Sequence, residues 1–183
     1  MMRIIAGLYK GRRLKSFKGN KIRPTTDRVR EAIFSILAER LASSVVADFF
    51  GGTGALGIEA LSRGAVHATF VDKDFDALSL IKANLELIDS LSGSSVIKGD
   101  VFRICEKLGR EGKSFDIIFA DPPYRTEFHE ALVLLILQNR LLAANGVIVY
   151  ETSPKFEFKE ISDLFTEIKV KSYGDTKVWF LFK

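Results

Sequence analysis

The sequence has few of the residues that build disulfides and metal centres. It contains one cysteine, Cys105, and two histidines among its 183 residues. A single cysteine forms no disulfide within the chain and no thiolate cluster for a metal, and His67 and His129 show no ligand spacing with it. We therefore expect no metal site and a reducing compartment.

Long hydrophobic runs are also missing. The longest, residues 131–137, is far shorter than the ~20 residues that cross a bilayer. The N-terminal residues are basic but are not followed by the apolar stretch of a signal peptide. Because 47% of the residues are hydrophobic and 27% charged, the composition excludes disordered and collagen-like chains. We expect a soluble, cytoplasmic protein with a sizeable core.

Acidic residues are scarce at the start of the chain. Residues 1–30 contain ten lysines and arginines and one acid, Asp27, so their net charge is 10 − 1 = +9. The whole chain carries +4, so the remaining residues carry 4 − 9 = −5. A basic segment on an acidic body suits a polyanion, because neutralised phosphates release counterions. Interleaved apolar residues indicate that this segment is folded, and we expect RNA or DNA as its partner.

The same N-terminal segment has the pattern of a small hairpin followed by a helix. Residues 3–8 and 12–17 are predicted to be two short strands joined at Tyr9-Lys10-Gly11. A helix is expected after the Arg23-Pro24 break, capped by Thr26. This pattern predicts a basic hairpin appendage over residues 1–24 and a main domain over residues 25–183.

From residue 45 onward, strands and helices alternate. Helices are predicted over residues 56–63, 75–87 and 127–142, the last closing at Asn145-Gly146. The predicted strands are residues 45–50, 68–71, 96–97, 115–120, 147–150, 167–173 and 178–182. This order predicts an α/β, Rossmann-like, doubly wound fold whose mostly parallel seven-stranded sheet ends in an antiparallel C-terminal edge.

A glycine-rich turn follows the first of these strands. Gly52-Thr53-Gly54-Ala55-Leu56-Gly57 fits G-x-G-x-x-G, and Asp72 lies 20 residues after Gly52, where an acid can accept hydrogen bonds from ribose hydroxyls. A nicotinamide, a flavin or S-adenosylmethionine (SAM) would fit this pattern. Asp48, just before the glycines, would repel a pyrophosphate but suits the ammonium group of a methionine. Asp100 could accept from an adenine amino group, with Val101 or Phe102 against the ring. These two acids favour SAM.

The tetrapeptide Asp121-Pro122-Pro123-Tyr124 lies at the predicted carboxyl end of the fourth strand, where ligands bind in such sheets. An amino group on an aromatic ring is a poor nucleophile, because its lone pair is delocalised. The Asp121 carboxylate and the Pro122 carbonyl can accept its two hydrogens, which turns the lone pair toward a methyl donor. Tyr124 offers a face for base stacking. The sequence thus predicts a SAM-dependent methyltransferase that modifies an amino group of a nucleic acid.

With these motifs, the chain resembles the RsmD family of bacterial 16S rRNA guanine-N2 methyltransferases, which have the class I methyltransferase fold. The resemblance covers the N-terminal block at residues 2–12, the segment 23–32, the glycine loop at residues 48–65, the DPPY tetrapeptide and the late Gly174-Asp175-Thr176. The family usually has alanine where this chain has Gly51, a change expected to matter little.

The resemblance implies methylation of a guanine N2 in 16S rRNA, on a 30S subunit or an assembly intermediate. Nothing in the sequence demands more than a monomer. It implies catalytic roles for Asp121, Pro122 and Tyr124. The residues expected to bind SAM are Asp48, Gly51, Gly52, Thr53, Gly54, Asp72, Lys73, Asp100 and Val101. The residues expected to bind RNA are Lys10, Arg12, Arg13, Arg23, Thr25 and Arg28.

Other activities remain open. A DNA adenine-N6 methyltransferase would use the same tetrapeptide, although the loops here are too short for the usual target-recognition insertion. A protein-glutamine methyltransferase usually has asparagine in place of Asp121 and has little use for a basic arm. A nicotinamide oxidoreductase or a non-catalytic RNA-binding module is the alternative from a different class.

Overall fold

A computed structural model describes residues 2–17, 26–91, 93–122 and 128–183. Its strands are β1 (Val45–Phe49), β2 (His67–Asp72), β3 (Ser94–Lys98), β4 (Phe115–Ala120), β5 (Leu142–Thr152), β6 (Glu167–Tyr173) and β7 (Thr176–Phe182). They form one sheet in the order β3-β2-β1-β4-β5-β7-β6. The first five strands are parallel, and β7 pairs antiparallel with both β5 and β6. The predicted Rossmann-like fold is confirmed.

The helices are α1 (Asp27–Ile36), α2 (Ala55–Ser62), α3 (Phe75–Glu86), α4 (Val101–Arg110) and α5 (His129–Gln138), with short 3-10 helices at Ala38–Arg40 and Ser162–Leu164. The predicted cap of α1 is confirmed, because the Thr26 hydroxyl accepts a hydrogen bond from the Val29 amide. Helix α4, whose cap is Asp100, was not predicted from the sequence. Within the described ranges, none of the helices is long and apolar enough to cross a bilayer.

Two apolar layers cover the two faces of the sheet. One layer joins α1, α2 and α3 to the sheet, and it includes Met2, Ile4 and Leu14 from the N-terminal segment. The other joins α4 and α5 to the opposite face. Because helices cover both faces, the inner strands are almost fully buried, which explains their continuous apolar sequences.

The predicted helix over residues 127–142 is wrong at its C-terminal end. Helix α5 ends at Gln138, Arg140 has a positive φ of 55°, and the Leu141 amide donates to the Ile136 carbonyl at 3.0 Å. Strand β5 then begins at Leu142. Its pairing with β4 is irregular, because Phe115 pairs with Leu142 whereas Ile117 pairs with Val147. The leucine-rich sequence conceals this boundary, because leucine fits a buried helix and a buried strand equally well.

The predicted hairpin is only partly correct. Arg3 and Arg13 form an antiparallel bridge, the Ile4 amide donates to the Arg12 carbonyl at 2.9 Å, and the Leu14 amide donates to the Met2 carbonyl at 3.0 Å. Residues 6–11 form turns instead of extended strands. We call residues 2–17 the N-terminal arm. The expected domain boundary at residue 24 falls outside the described residues and stays a prediction.

The arm is attached to α2 through a buried carboxylate. Glu59 accepts hydrogen bonds from the amides of Ile5 at 2.8 Å and Ala6 at 3.0 Å. The same carboxylate lies 3.7 Å from the guanidinium of Arg30, and both side chains are fully buried. Arg30 also donates to the Arg3 carbonyl at 2.7 Å. Ser62 adds a second anchor, because its hydroxyl donates to the Ala6 carbonyl at 2.6 Å and accepts from the Tyr9 amide at 3.1 Å.

This attachment predicts a large loss of stability in Glu59→Ala. The substitution removes the acceptor for two arm amides and breaks the ion pairs of Glu59 with Arg30 at 3.7 Å and Arg63 at 2.8 Å. The buried Arg30 then keeps only its pair with Asp27, which is partly exposed, and we expect the loss to cost about 3–5 kcal/mol. Denaturant unfolding measures the change. Glu111→Ala, which breaks the exposed Glu111–Lys107 pair on α4, is the control and should cost less than about 1 kcal/mol. Equal losses in the two variants would contradict the anchoring role of Glu59.

Candidate active site

Three aspartates gather where the order of the strands reverses. Asp72 ends β2, Asp121 directly follows β4, and Asp48 lies one residue before the end of β1. Strand β1 is hydrogen-bonded to both β2 and β4, so the carboxyl ends of the three strands deliver their acids to one place. This is the switch point at which open α/β sheets bind ligands.

Asp48 is the most strongly perturbed of these acids. Its side chain is buried, and its Oδ2 accepts a hydrogen bond from the Gly57 amide in α2 at 2.9 Å. Burial raises the pKa of Asp48 from 3.8 to about 7; the Gly57 bond opposes this change, and the charges of Asp121 and Asp72 add to it. A cationic ligand beside Asp48 would therefore stabilise a carboxylate that the protein alone disfavours.

Burial also raises the pKa of Asp121 to about 6. Burial and the charge of Asp121 together raise the pKa of Tyr150 above its ordinary value. Tyr150 is the β5 partner of Ala120, and its hydroxyl lies 3.1 Å from Nδ1 of His129. Tyr150 was not predicted as a site residue, because no local pattern shows that this residue of β5 interacts with Asp121 at the end of β4.

The glycine loop has the backbone that its sequence predicts. Gly52 and Gly54 have φ values of +55° and +76°, in the left-handed region that favours glycine. The Gly52 amide donates to Oδ2 of Asp72 at 2.9 Å, which ties the loop to the end of β2. The loop thus leads directly into the N-terminus of α2, beside the three carboxylates.

Two further glycines allow close packing behind the loop. A Cβ atom on Gly57 would lie 2.4 Å from Cε1 of Phe70, so only glycine lets α2 approach β2 this closely. A Cβ atom on Gly51 would lie 3.1 Å from Cδ1 of Ile81. The alanine that the family usually has at this position would therefore require Ile81 to move by a few tenths of an ångström.

The remaining residues expected at the SAM site lie at the ends of β2 and β3. Oδ1 of Asp72 accepts from the Asp74 amide at 2.9 Å, and each oxygen of that carboxylate can accept a further hydrogen bond. Oδ1 of Asp100 caps α4 by accepting from the Phe102 amide at 3.1 Å, so its Oδ2 is the oxygen that can face an adenine. Val101 is buried and Lys73 is exposed.

Part of the predicted site falls outside the described residues. This is true of Pro123 and Tyr124 in the tetrapeptide, whereas Pro122 is described and buried. It is also true of Arg23 and Thr25 in the predicted RNA-binding set.

The described members of that set are exposed or partly exposed: Lys10, Arg12 and Arg13 in the arm and Arg28 on α1. The guanidinium of Arg12 donates to the Leu87 carbonyl and lies 5.4 Å from the centre of the Tyr9 ring. Arg12 therefore has a structural contact of its own. Arg30, which the charge count included, is fully buried and cannot contact RNA.

Comparison with known proteins identifies the family. The family described as Conserved hypothetical protein 95 matches residues 2–182. Ribosomal RNA small subunit methyltransferase D of Escherichia coli is 35% identical over 82% of this chain and 74% of its own length. The chain belongs to the RsmD family. Its resemblance to this family, inferred from the motifs, is thereby confirmed.

Two other proteins are similar to this RsmD-family member over almost its whole length. YlbH of Bacillus subtilis, which is provisionally named an rRNA methyltransferase, is 38% identical over 97% of this chain and 96% of its own length. The solved structure of YhhF from Escherichia coli, provisionally named a methyltransferase, has a TM-score of 0.88 and 30% identity, covering 100% of this chain and 97% of that one. The shared fold therefore includes the N-terminal arm as well as the sheet and its helices.

The raised pKa of Asp48 predicts a pH-dependent stability difference in Asp48→Asn. Between pH 3.8 and about 7, the unfolded chain releases the Asp48 proton while the folded chain retains it, so rising pH favours unfolding. Asparagine carries no charge, and its Oδ1 can still accept from Gly57. The variant should therefore gain stability relative to the wild type as pH rises, by an amount on the order of 4 kcal/mol.

Urea unfolding at several pH values between 4 and 8 measures this difference. Asp163→Asn, at an exposed position, is the control and should show no comparable trend. A constant difference between Asp48→Asn and the wild type across this range would contradict the buried, perturbed state of Asp48.

Proposed function

We propose that this chain transfers a methyl group from SAM to the exocyclic N2 amine of a guanine in 16S rRNA. The substrate is the 30S subunit or an intermediate of its assembly, and the enzyme acts in the cytoplasm as a monomer without a metal. The family supports rRNA methylation in general, since its E. coli relative is named as a small-subunit rRNA methyltransferase. The guanine N2 target is the finer part of the proposal.

The gathering of Asp48, Asp72 and Asp121 is the observation that carries the choice of cofactor. Their charges interact, and burial disfavours two of the three carboxylates. The pyrophosphate of a dinucleotide would add negative charge here, whereas SAM has a cationic ammonium and a cationic sulfonium. When bound, SAM supplies a methyl group activated by the positive sulfur. The fit between this anionic site and a cationic ligand supports SAM over a nicotinamide or flavin.

Each acid then has a place along the cofactor. Asp48 faces the ammonium group, Asp72 accepts from the ribose hydroxyls, and Asp100 accepts from the adenine amino group. Gly51, Gly52, Thr53 and Gly54 bring the backbone close to the methionine part, and Lys73 and Val101 border the ribose and the adenine.

Asp121 and Pro122 orient the target amine. The Asp121 carboxylate and the Pro122 carbonyl accept the two amine hydrogens, and Tyr124 stacks against the base. The nitrogen lone pair then forms the new N–C bond as the C–S bond breaks and its electron pair stays on sulfur. Asp121, with a pKa of about 6, takes the proton that the amine loses. Positioning is the main source of catalysis, since no covalent intermediate is needed.

The N-terminal arm holds the RNA. Lys10 and Arg13 are exposed, and Arg28 extends the basic surface onto α1. Arg23 and Thr25 belong to the same proposed surface. Arg12 contributes to it through its place beside Tyr9 and Leu87. Because the arm is anchored on α2, whose N-terminus follows the glycine loop, the RNA is held next to the SAM site.

The experiment that tests this function supplies labelled SAM and three separate substrates: naked 16S rRNA, 30S particles from cells that lack this enzyme, and duplex DNA. Mass spectrometry of nucleoside digests identifies the product. We expect N2-methylguanosine from rRNA or 30S particles. N6-methyladenine in DNA would overturn the substrate, and no transfer despite SAM binding would direct the search to protein substrates.

Asp121→Ala should abolish most methyl transfer with a much smaller effect on SAM binding. Loss of the carboxylate that orients the amine and takes its proton should lower kcat by at least ~100-fold. The dissociation constant of SAM, measured by calorimetry, should change less than about tenfold, which is about 1.4 kcal/mol. Asp116→Ala, at the opposite end of β4, is the control. A parallel loss of SAM binding and kcat would mean that Asp121 holds the cofactor instead of the amine.

The arm should contribute to RNA affinity through charge. Lys10→Ala and Arg13→Ala should each weaken binding to 30S particles, and each should reduce the salt slope of the binding constant by about 1. Filter binding at several salt concentrations gives the slope. Lys107→Ala, which removes an exposed charge on α4, should leave the slope unchanged. An unchanged slope in the two arm variants would exclude the arm as the RNA contact.

A further inference from the structure

Asn84 is a buried side chain that the proposed reaction does not use. It lies in α3 and is fully shielded from solvent. Its Oδ1 accepts from the Lys15 amide at 2.8 Å, and its Nδ2 donates to the carbonyls of Lys15 and Thr53, both at 3.0 Å. One amide group therefore joins the N-terminal arm to the glycine loop, and both of its hydrogens are used.

A second contact joins the same two segments. The Thr53 hydroxyl lies 3.6 Å from the sulfur of Met2, within hydrogen-bonding distance for a sulfur acceptor. Met2 is part of the arm pairing, because its carbonyl accepts from the Leu14 amide at 3.0 Å. Thr53 is thus held by the arm through its side chain and by Asn84 through its backbone.

The position of Thr53 in the loop makes its restraint effective. It lies between Gly52 and Gly54, the two left-handed glycines, and glycine loses more conformational freedom on ordering than any other residue. A contact that fixes Thr53 lowers the entropy cost of forming the loop that receives SAM. The arm lowers that cost only while it is docked, because the Lys15 amide completes the Asn84 hydrogen bonds.

We propose that Asn84 is a positioning residue that couples the arm to the glycine loop, so that RNA on the arm and SAM in the loop each raise the affinity for the other. A ligand that orders one segment reduces the ordering cost of the other, and such coupling is reciprocal. The RNA half of this inference rests on the proposed function; the link between arm and loop does not.

The coupling is measured with S-adenosylhomocysteine (SAH), which avoids turnover, and 30S particles from cells that lack this enzyme. In the wild type, saturating particles should tighten SAH binding by about fivefold or more. In Asn84→Ala the ratio of the SAH dissociation constant without particles to the one with saturating particles should fall to near one. A residue with a purely structural role would weaken SAH binding with and without particles and leave the ratio unchanged, which would overturn the proposal.

Ser62→Ala is the matched control. It removes the side-chain hydrogen bonds to Ala6 and Tyr9 in the arm but leaves the contacts of the glycine loop in place. The ratio of the SAH dissociation constants without and with particles should therefore stay at its wild-type value. Loss of the ratio in Ser62→Ala to the same degree would show that general docking of the arm, and not Asn84, provides the coupling. If Asn84→Ala fails to fold, Lys15→Pro removes the amide that donates to Asn84 while leaving α3 and the loop intact, and the ratio should fall there also.

Amide hydrogen exchange separates this inference from the proposed function. SAH should slow exchange in residues 2–17 of the wild type without any RNA present, and this protection should disappear in Asn84→Ala. If 30S particles do not bind but the arm is protected by SAH, the RNA assignment fails and the link stands. If SAH binds without changing exchange in the arm, the link fails whatever the RNA does. If SAH does not bind at all, both are wrong.

Discussion

The buried carboxylate of Glu59 is the interaction on which the arrangement of this protein depends. It lies in α2, the helix that begins at the glycine loop, and it accepts hydrogen bonds from the arm while facing the buried Arg30 of α1. A charge without partners at this depth would be costly. Glu59 forms ion pairs with Arg30 and Arg63, and the arm amides of Ile5 and Ala6 add two hydrogen bonds to the same carboxylate. Docking of the arm therefore adds to the stabilisation of this buried charge and places basic residues next to the loop.

The second constraint is the concentration of negative charge at the switch point. A parallel sheet brings the carboxyl ends of neighbouring strands together, so aspartates that are far apart in the sequence become neighbours. The Gly57 amide, near the N-terminus of α2, compensates part of the Asp48 charge. Burial and the remaining charge raise the pKa of Asp48, and burial raises that of Asp121. Such a group of acids favours a cationic ligand, which is the basis of the SAM site that we propose.

Much of the fold was predictable because its signals are local. The Thr26 cap, the glycine loop and the apolar strands each occupy a few consecutive residues, and the structure confirms them. The end of α5 was not predictable from the leucine-rich run, because hydrophobicity there satisfies a helix and a strand equally. Helix α4 was not predicted although Asp100 caps it, because an acid after a strand can equally cap a helix or accept a hydrogen bond from a ligand. The roles of the site residues stay predictions.

The sequence by itself determined the order of the strands, the glycine turn and the acids at strand ends. These follow from residue periodicity and from backbone preferences of single residues. Only the tertiary structure decided that Asn84 joins Lys15 to Thr53, across 69 and 31 positions, and that Glu59 receives the arm amides 54 and 53 positions away. It also decided which acids are perturbed. Burial and long-range hydrogen bonding belong to the packed chain, and no local pattern contains them.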